Sequence, residues 1–157
     1  MATEIERKFL VDPATVGALE DGQIIRQGYI STEANAVVRV RLAGEQAWLT
    51  LKGAATGISR SEFEYPIPSA DAQQMIAGFC GARVISKTRY RRYHAGYLWE
   101  IDVFDGDNTG LIVAEVELAS ESEQPELPPW VGREVSGDLR YYNSSLCSHP
   151  FRDWRGD

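Results

Sequence analysis

The chain is poor in cysteine, histidine and methionine, with two of each in 157 residues. Cys80 and Cys147 are too few for a disulfide framework and lack metal-ligand spacing. They are expected as reduced thiols in packed surroundings. His94 and His149 read as surface or packing residues, so no His/Cys cluster points to zinc. Positive charge is scarce too: 16 Lys and Arg against 23 Asp and Glu leave a net charge of −7. That balance argues against a nucleic-acid surface, which needs a basic face, while permitting a local basic pocket. No apolar run approaches the ~18 residues of a membrane span. No secretory signal is visible at the amino terminus, so the cytoplasm is the expected location. No Gly-x-x-x-x-Gly-Lys-Ser/Thr phosphate loop, repeat or low-complexity tract occurs.

What is present is an ordinary globular composition, 43% apolar and 25% charged. Its length predicts one domain over residues 1–157 with a substantial core. Most of the chain alternates with period two, the signature of strands. Thr3 to Val11 puts Glu4, Glu6 and Lys8 on one face and Ile5, Arg7, Phe9 and Val11 on the other. Gln23 to Ile30, Ala36 to Leu42 and Ala47 to Lys52 read as further strands, with Gly44-Glu45 turning the last pair into a hairpin. A flexible small-residue loop is expected over Gly53–Gly57. Strands through Arg60, Glu62 and Glu64, through Lys87, Arg89 and Arg91, then Tyr97 to Phe104 and Leu111 to Leu118 follow. Two turns of helix are predicted over Ala14–Glu20. The best helix runs from Ser69-Ala70-Asp71 to Phe79, with Gly81 as stop. Asp105–Gly110 superficially looks like a calcium loop, but Val116 stands where the bidentate Glu belongs. Arg133-Glu134-Val135 reads as a last short strand and Asp138 to Leu146 as helical. Pro150–Asp157 stays unassigned.

The charged faces repeat one oddity. Glu4/Glu6, Arg39/Arg41, Glu62/Glu64, Lys87/Arg89 and Glu115/Glu117 each place like charges roughly 7 Å apart on one strand face. Folding gains nothing from that repulsion, whereas binding metals and polyanions requires it. Two arrangements compete: the wet side of an open sheet, or a closed eight-stranded antiparallel β-barrel with a charged interior and helices outside. Closure removes the edge strands and is favoured. Such a bore must hold water and counter-ions, because burying each unpaired ion costs several kcal/mol. Clustered carboxylates are hard oxygen ligands suited to Mg²⁺ or Mn²⁺. Clustered Arg and Lys suit phosphate oxygens. Together they are equipment for phosphoryl transfer.

In this order the motifs resemble the CYTH superfamily, the triphosphate tunnel metalloenzymes. The resemblance runs from Glu4-Ile5-Glu6-Arg7-Lys8, a Glu-x-Glu-x-Lys signature, through Arg39/Arg41, Lys52, Glu62/Glu64, Lys87/Arg89 and Asp102 to Glu115/Glu117. The opening Glu-Ile-Glu-Arg-Lys-Phe-Leu is similar to that of the compact bacterial inorganic triphosphatases. The resemblance implies a metal-dependent hydrolase that cuts tripolyphosphate to diphosphate and phosphate, with two ions per site. Glu4, Glu6, Glu115 and Glu117 would hold metal, with Glu62, Glu64 and Asp102 as further or water-mediated ligands. Arg39, Arg41, Lys52, Lys87 and Arg89 would grip the triphosphate. Lys8 would join Glu4 and Glu6 in catalysis by orienting the terminal phosphate or the attacking water. Arg60, Arg91 and Glu100 would support them, and Tyr29 falls near a tunnel-mouth position. Competing functions are a class IV-type adenylate cyclase, a thiamine or nucleoside triphosphatase, and a non-catalytic polyphosphate or nucleotide module. A base or thiazole would need aromatics at the mouth, for which Trp48, Phe63, Tyr97 and Trp99 are candidates. The expected partner is a small-molecule triphosphate, with no nucleic acid or membrane. The oligomeric state is left open, a homodimer included.

Overall fold

The alternation is realised as nine strands in one sheet that curls until its ends meet. The computed structural model describes residues 2–155. The strands are β1 (Thr3–Val11), β2 (Gln23–Glu33), β3 (Ala36–Ala43), β4 (Gln46–Thr56), β5 (Ser59–Ile67), β6 (Val84–His94), β7 (Tyr97–Phe104), β8 (Ile112–Glu117) and β9 (Val131–Glu134). Their order is β5-β4-β3-β2-β6-β7-β8-β1-β9, and a further β5–β1 pairing closes the first eight into a ring. β1 is the closing strand. Residues Glu6 to Leu10 pair with β8, and Thr3 to Ile5 pair with β5. Phe9 and Val11 pair with β9, which stands outside the ring on the edge that β5 leaves free. All pairings are antiparallel.

Two of the three expected helices are shorter than the sequence predicts. Residues 14–20 make a single turn, α1 (Pro13–Val16), capped by the Asp12 carboxylate on the Ala14 N–H. It stops at Gly17, whose φ of +73° breaks the helical path. α2 (Ser69–Phe79) forms as predicted and packs Ala72 and Ile76 on Val40 and Ala47. Its far end lies so close to β2 that a Cβ on Gly28 would stand 2.6 Å from the Cys80 sulfur, so only glycine fits. The Asp138–Leu146 stretch is not one helix. It splits into a 3-10 turn over Leu139–Tyr141 and a one-turn α3 (Asn143–Leu146). The Gly53–Gly57 loop is likewise corrected: β4 runs through Thr56, its ladder to β5 irregular between Lys52 and Ala55. A 3-10 turn over Phe151–Asp153 lies in the tail, whose last two residues fall outside the described residues. Cys80 and Cys147 are free thiols. Among the described residues no helix is long and apolar enough to cross a membrane.

Apolar side chains gather in three places. Phe9, Trp99, Ile101, Val116 and Trp130 form one cluster on the outer faces of β1, β7 and β8, and α2 covers a second over β3 and β4. The third lies inside the ring. Leu10, Ile85, Phe104 and Val113 share the strand faces of Lys8, Lys87, Asp102 and Glu115, and they pack with Val135, Tyr141 and Leu146. The interior is therefore charged over part of its length and filled with apolar side chains at one end, where the C-terminal segment meets it.

Candidate active site

The rest of the interior is a cavity of about 360 Å³. Its wall holds Glu4, Glu6 and Lys8 from β1, Arg39 and Arg41 from β3, and Lys52 from β4. It also holds Glu62 and Glu64 from β5, Lys87, Arg89 and Arg91 from β6, Glu100 from β7, and Glu115 and Glu117 from β8. Every proposed site residue except Asp102 lines it. Round the ring the charge is sorted by strand: β7, β8, β1 and β5 carry the carboxylates, and β4, β3 and β6 carry most of the cations. β2 lies between the two arginine-rich strands and faces the cavity with neutral Gln23, Ile25 and Tyr29.

On the basic side, Arg39 donates to the Thr50 hydroxyl at 3.2 Å and to Glu64 at 3.4 Å. Its buried Nε–H has no acceptor among the described residues. Arg41 donates its Nε–H to Gln27 Oε1 at 3.1 Å and makes no ion pair among the described residues. Burial, with Arg39 and Arg89 adjacent, lowers its pKa to about 10. Lys52 reaches Glu4 at 3.3 Å and Glu62 at 3.2 Å. Both are partly exposed pairs that open easily to a competing anion.

Asp102 is the one that departs from expectation. It is fully buried behind the wall, where Arg89 grips both its oxygens at 2.8 and 2.9 Å and Lys87 adds a contact at 2.7 Å. Burial alone would raise its pKa, but these two cations drive it far below the carboxylate range. Burial lowers Lys87 to about 7 despite Asp102, and the neighbouring Arg89 and Arg41 push the same way. Arg89 is enough to keep Asp102 ionised. Asp102 is thus a holder of the two cations, with its oxygens already engaged.

The acidic side is uneven. Burial alone would raise Glu115, but the Lys8 ammonium at 3.5 Å, together with Arg89 and Lys87, brings its pKa down to about 2. Lys8 also donates to the Tyr141 carbonyl at 3.2 Å and lies 5.5 Å from the Tyr142 ring centre. The Glu6 carboxylate has no hydrogen bond or ion pair among the described residues. Burial, then the charges of Glu115 and Glu4, raise its pKa well above the usual value. Glu117 lies opposite Glu6 in the β1–β8 register and is raised by burial and by Glu4. Glu62, beside Glu4, is raised to about 7 by burial and that neighbour. Among the described residues no three His, Cys, Asp or Glu groups already converge as metal ligands. The donor set nevertheless fits a hard divalent cation, which would relieve the carboxylate repulsion around Glu6.

Sequence reasoning placed Tyr29 near the mouth but missed the other neutral members. Gln27 was legible by parity with Ile25, yet carried no charge to draw notice. Thr50 likewise alternates with Trp48 and Lys52. Tyr142 and Asn143 gave no signal, because the C-terminal segment enters the interior only through tertiary packing. Of the four aromatics considered for a base, Trp48 lines the cavity. Trp99 packs between Phe9 and Trp130, Phe63 faces outward, and Tyr97 donates to Glu123.

Comparison with known proteins agrees with this geometry. The chain is 43% identical to an inorganic triphosphatase of Acetivibrio thermocellus, over 99% of both chains. It is 39% identical to one of Nitrosomonas europaea, over 92% of this chain and 97% of that one. A crystal structure described as an inorganic triphosphatase superposes with a TM-score of 0.64 at 36% identity, covering 94% of this chain and 95% of the other. A putative adenylate cyclase from Bacillus halodurans shares the fold alone, with a TM-score of 0.60 at 18% identity over 77% of this chain and 84% of the other. Residues 2–148 match the CYTH domain, and with the motifs in order around one cavity, the chain belongs to that family.

Proposed function

We propose that this chain is a divalent-metal-dependent inorganic triphosphatase, acting as one domain on tripolyphosphate in the cytoplasm. One observation carries the proposal: unpaired acids and underused cations face one another across the same cavity. Among the described residues Arg39 keeps a buried N–H without an acceptor, and both Nη groups of Arg41 stay unpaired. Opposite them, the Glu6 carboxylate has no hydrogen bond or ion pair among the described residues. A linear triphosphate answers the first need and a divalent cation the second.

Arg39, Arg41, Lys52, Lys87 and Arg89 bind and orient the phosphates and take up charge on the leaving diphosphate. Glu4, Glu6, Glu115 and Glu117 would hold the metal, expected as two Mg²⁺ or Mn²⁺ ions, with Glu62 and Glu64 beside them. A bound divalent ion supplies Lewis acidity toward phosphate oxygens and water. Lys8, fixed by Glu115 and the Tyr141 carbonyl, orients the terminal phosphate. In the net step one water oxygen bonds to the terminal phosphorus, and the bridging P–O bond breaks to release diphosphate.

Nucleotide processing is the weaker reading, because only Trp48 of the four candidate aromatics reaches the cavity. Phosphate release from tripolyphosphate, ATP and thiamine triphosphate, each with Mg²⁺, Mn²⁺ or EDTA, tests both. Tripolyphosphate should be turned over fastest and only with metal. Preferred ATP, or cyclic AMP as product, would favour the runner-up, and turnover in EDTA would end the metal proposal.

A further inference from the structure

Arg41, which makes no ion pair among the described residues, and Lys87, whose counter-charge is Asp102, share an anchor that is not ionic. Gln27 is fully buried on β2, between the strands that carry Arg41 and Lys87. Its Oε1 accepts from Arg41 Nε at 3.1 Å. Its Nε2 donates to the Tyr29 hydroxyl at 2.8 Å and to Asn143 Oδ1 at 3.2 Å. Asn143, at the start of α3, accepts at that same oxygen from Lys87 Nζ at 2.9 Å. The cations dictate how the amides lie. Arginine and lysine only donate, so an oxygen must face each, and that leaves the Gln27 NH₂ to bridge to Asn143.

We infer that Gln27 and Asn143 are positioning residues for the triphosphate, a neutral amide bracket that holds Arg41 without cancelling its charge and links it to Lys87. The neighbouring Arg89 shows the contrast. Asp102 holds it just as firmly, but both carboxylate oxygens are turned to it and most of its charge is answered. The bracket engages one donor of Arg41 and one of Lys87. Both Nη groups of Arg41 donate to nothing among the described residues, and Lys87 has one N–H left after Asn143 and Asp102. A carboxylate at either amide position would set the same geometry while competing with phosphate. A hydrocarbon there would leave Arg41 free to swing and Lys87 held by Asp102 alone, and the lost ordering would then have to be made up when substrate binds. Because Asn143 belongs to the C-terminal segment, the bracket also ties that segment to the substrate wall.

This inference rests on the triphosphatase proposal, so wild-type turnover of tripolyphosphate is the first measurement; an inactive wild type sinks that proposal itself. With an active wild type, kcat and KM are measured separately for Asn143→Ala, Gln27→Met and the double variant, alongside thermal melting. Each single change should raise KM about tenfold, with kcat within about threefold. The double variant should lose little more than either single one, because the two amides act as a unit. Asn143→Asp, which keeps the acceptor for Lys87 but adds charge, should raise KM at least as much as the alanine change. Unchanged KM in both single variants, a loss confined to kcat, strictly additive losses, or a wild-type KM in Asn143→Asp would each overturn the inference. Asn143 is only half-buried at the start of a one-turn helix, so its variants should melt near wild type and carry the test even if Gln27→Met does not fold.

Discussion

Asp102 and Glu6 are both carboxyl groups withdrawn into the interior of one sheet, and they meet opposite fates. Asp102 is held by Arg89 and Lys87, and its pKa lies far below the usual range. Glu6 has Glu4 and Glu115 for neighbours, and its pKa is pushed well up. The β6–β7 region is electrostatically complete as folded, whereas the β1–β8 region is strained until something cationic arrives. Buried charge that is already paired maintains the wall, and buried charge that is not paired awaits a ligand.

The largest effect should come from breaking the complete region. Asp102→Asn leaves Arg89 and Lys87 without their anion and should cost about 3–5 kcal/mol of stability, read from urea denaturation. Wild-type stability in that variant would show the triad to be dispensable. Glu6→Gln probes the strained region and should behave in reverse. Turnover should fall more than about 100-fold, while melting without metal stays level or rises, since a repelled carboxyl is removed. Full activity there would rule out metal held at Glu6.

Removing a cation that has no carboxylate partner should spare the fold as well. Arg41→Ala should raise KM for tripolyphosphate about tenfold, the order expected for one lost charge-assisted contact. An unchanged KM would take β3 out of the binding wall.

The smallest effect is in pH. Glu62 titrates near 7 in the folded chain against a usual 4.5, and Glu6 is also raised. Between about pH 4.5 and 7 the folded state therefore holds more protons than the unfolded one, and the metal-free protein loses stability as pH rises. Lys87, lowered to about 7, acts with the opposite sign above that point, where stability recovers. Added Mg²⁺ should flatten the lower limb, because bound metal takes the place of the protons. A melting profile that rises steadily from pH 4.5 to 7 without metal would contradict the placement of these carboxyls.

Much of this arrangement was legible because charge and strand period coincide. Glu4/Glu6, Arg39/Arg41 and Glu115/Glu117 declare both a face and a chemistry. Leu10, Ile85, Phe104 and Val113 stood on the same faces by simple parity, so the apolar end of the interior was readable too. The charges beside them drew attention away from it. Asp102 was grouped with the metal acids because its sequence position shows its sign but not its partners. Ring closure by β5 and β1 depends on accumulated twist, and no residue encodes it alone. The single-turn α1 and the split of residues 138–146 were decided by one glycine and by packing against the interior, which outweighed helix propensity.

β1 has a consequence for how the molecule is made. It is made before every other strand of the sheet, yet two of the strands along its edges, β8 and β9, belong to the last third of the chain. During synthesis it has only β5 to hold, through a short stretch at its beginning. Sheet pairings of such wide sequence separation form slowly, so the first strand of the sheet to be made is among the last to be enclosed. A nascent chain halted before residue 112 would display Glu4, Glu6 and Lys8 on an open edge, with neither a cavity nor an activity.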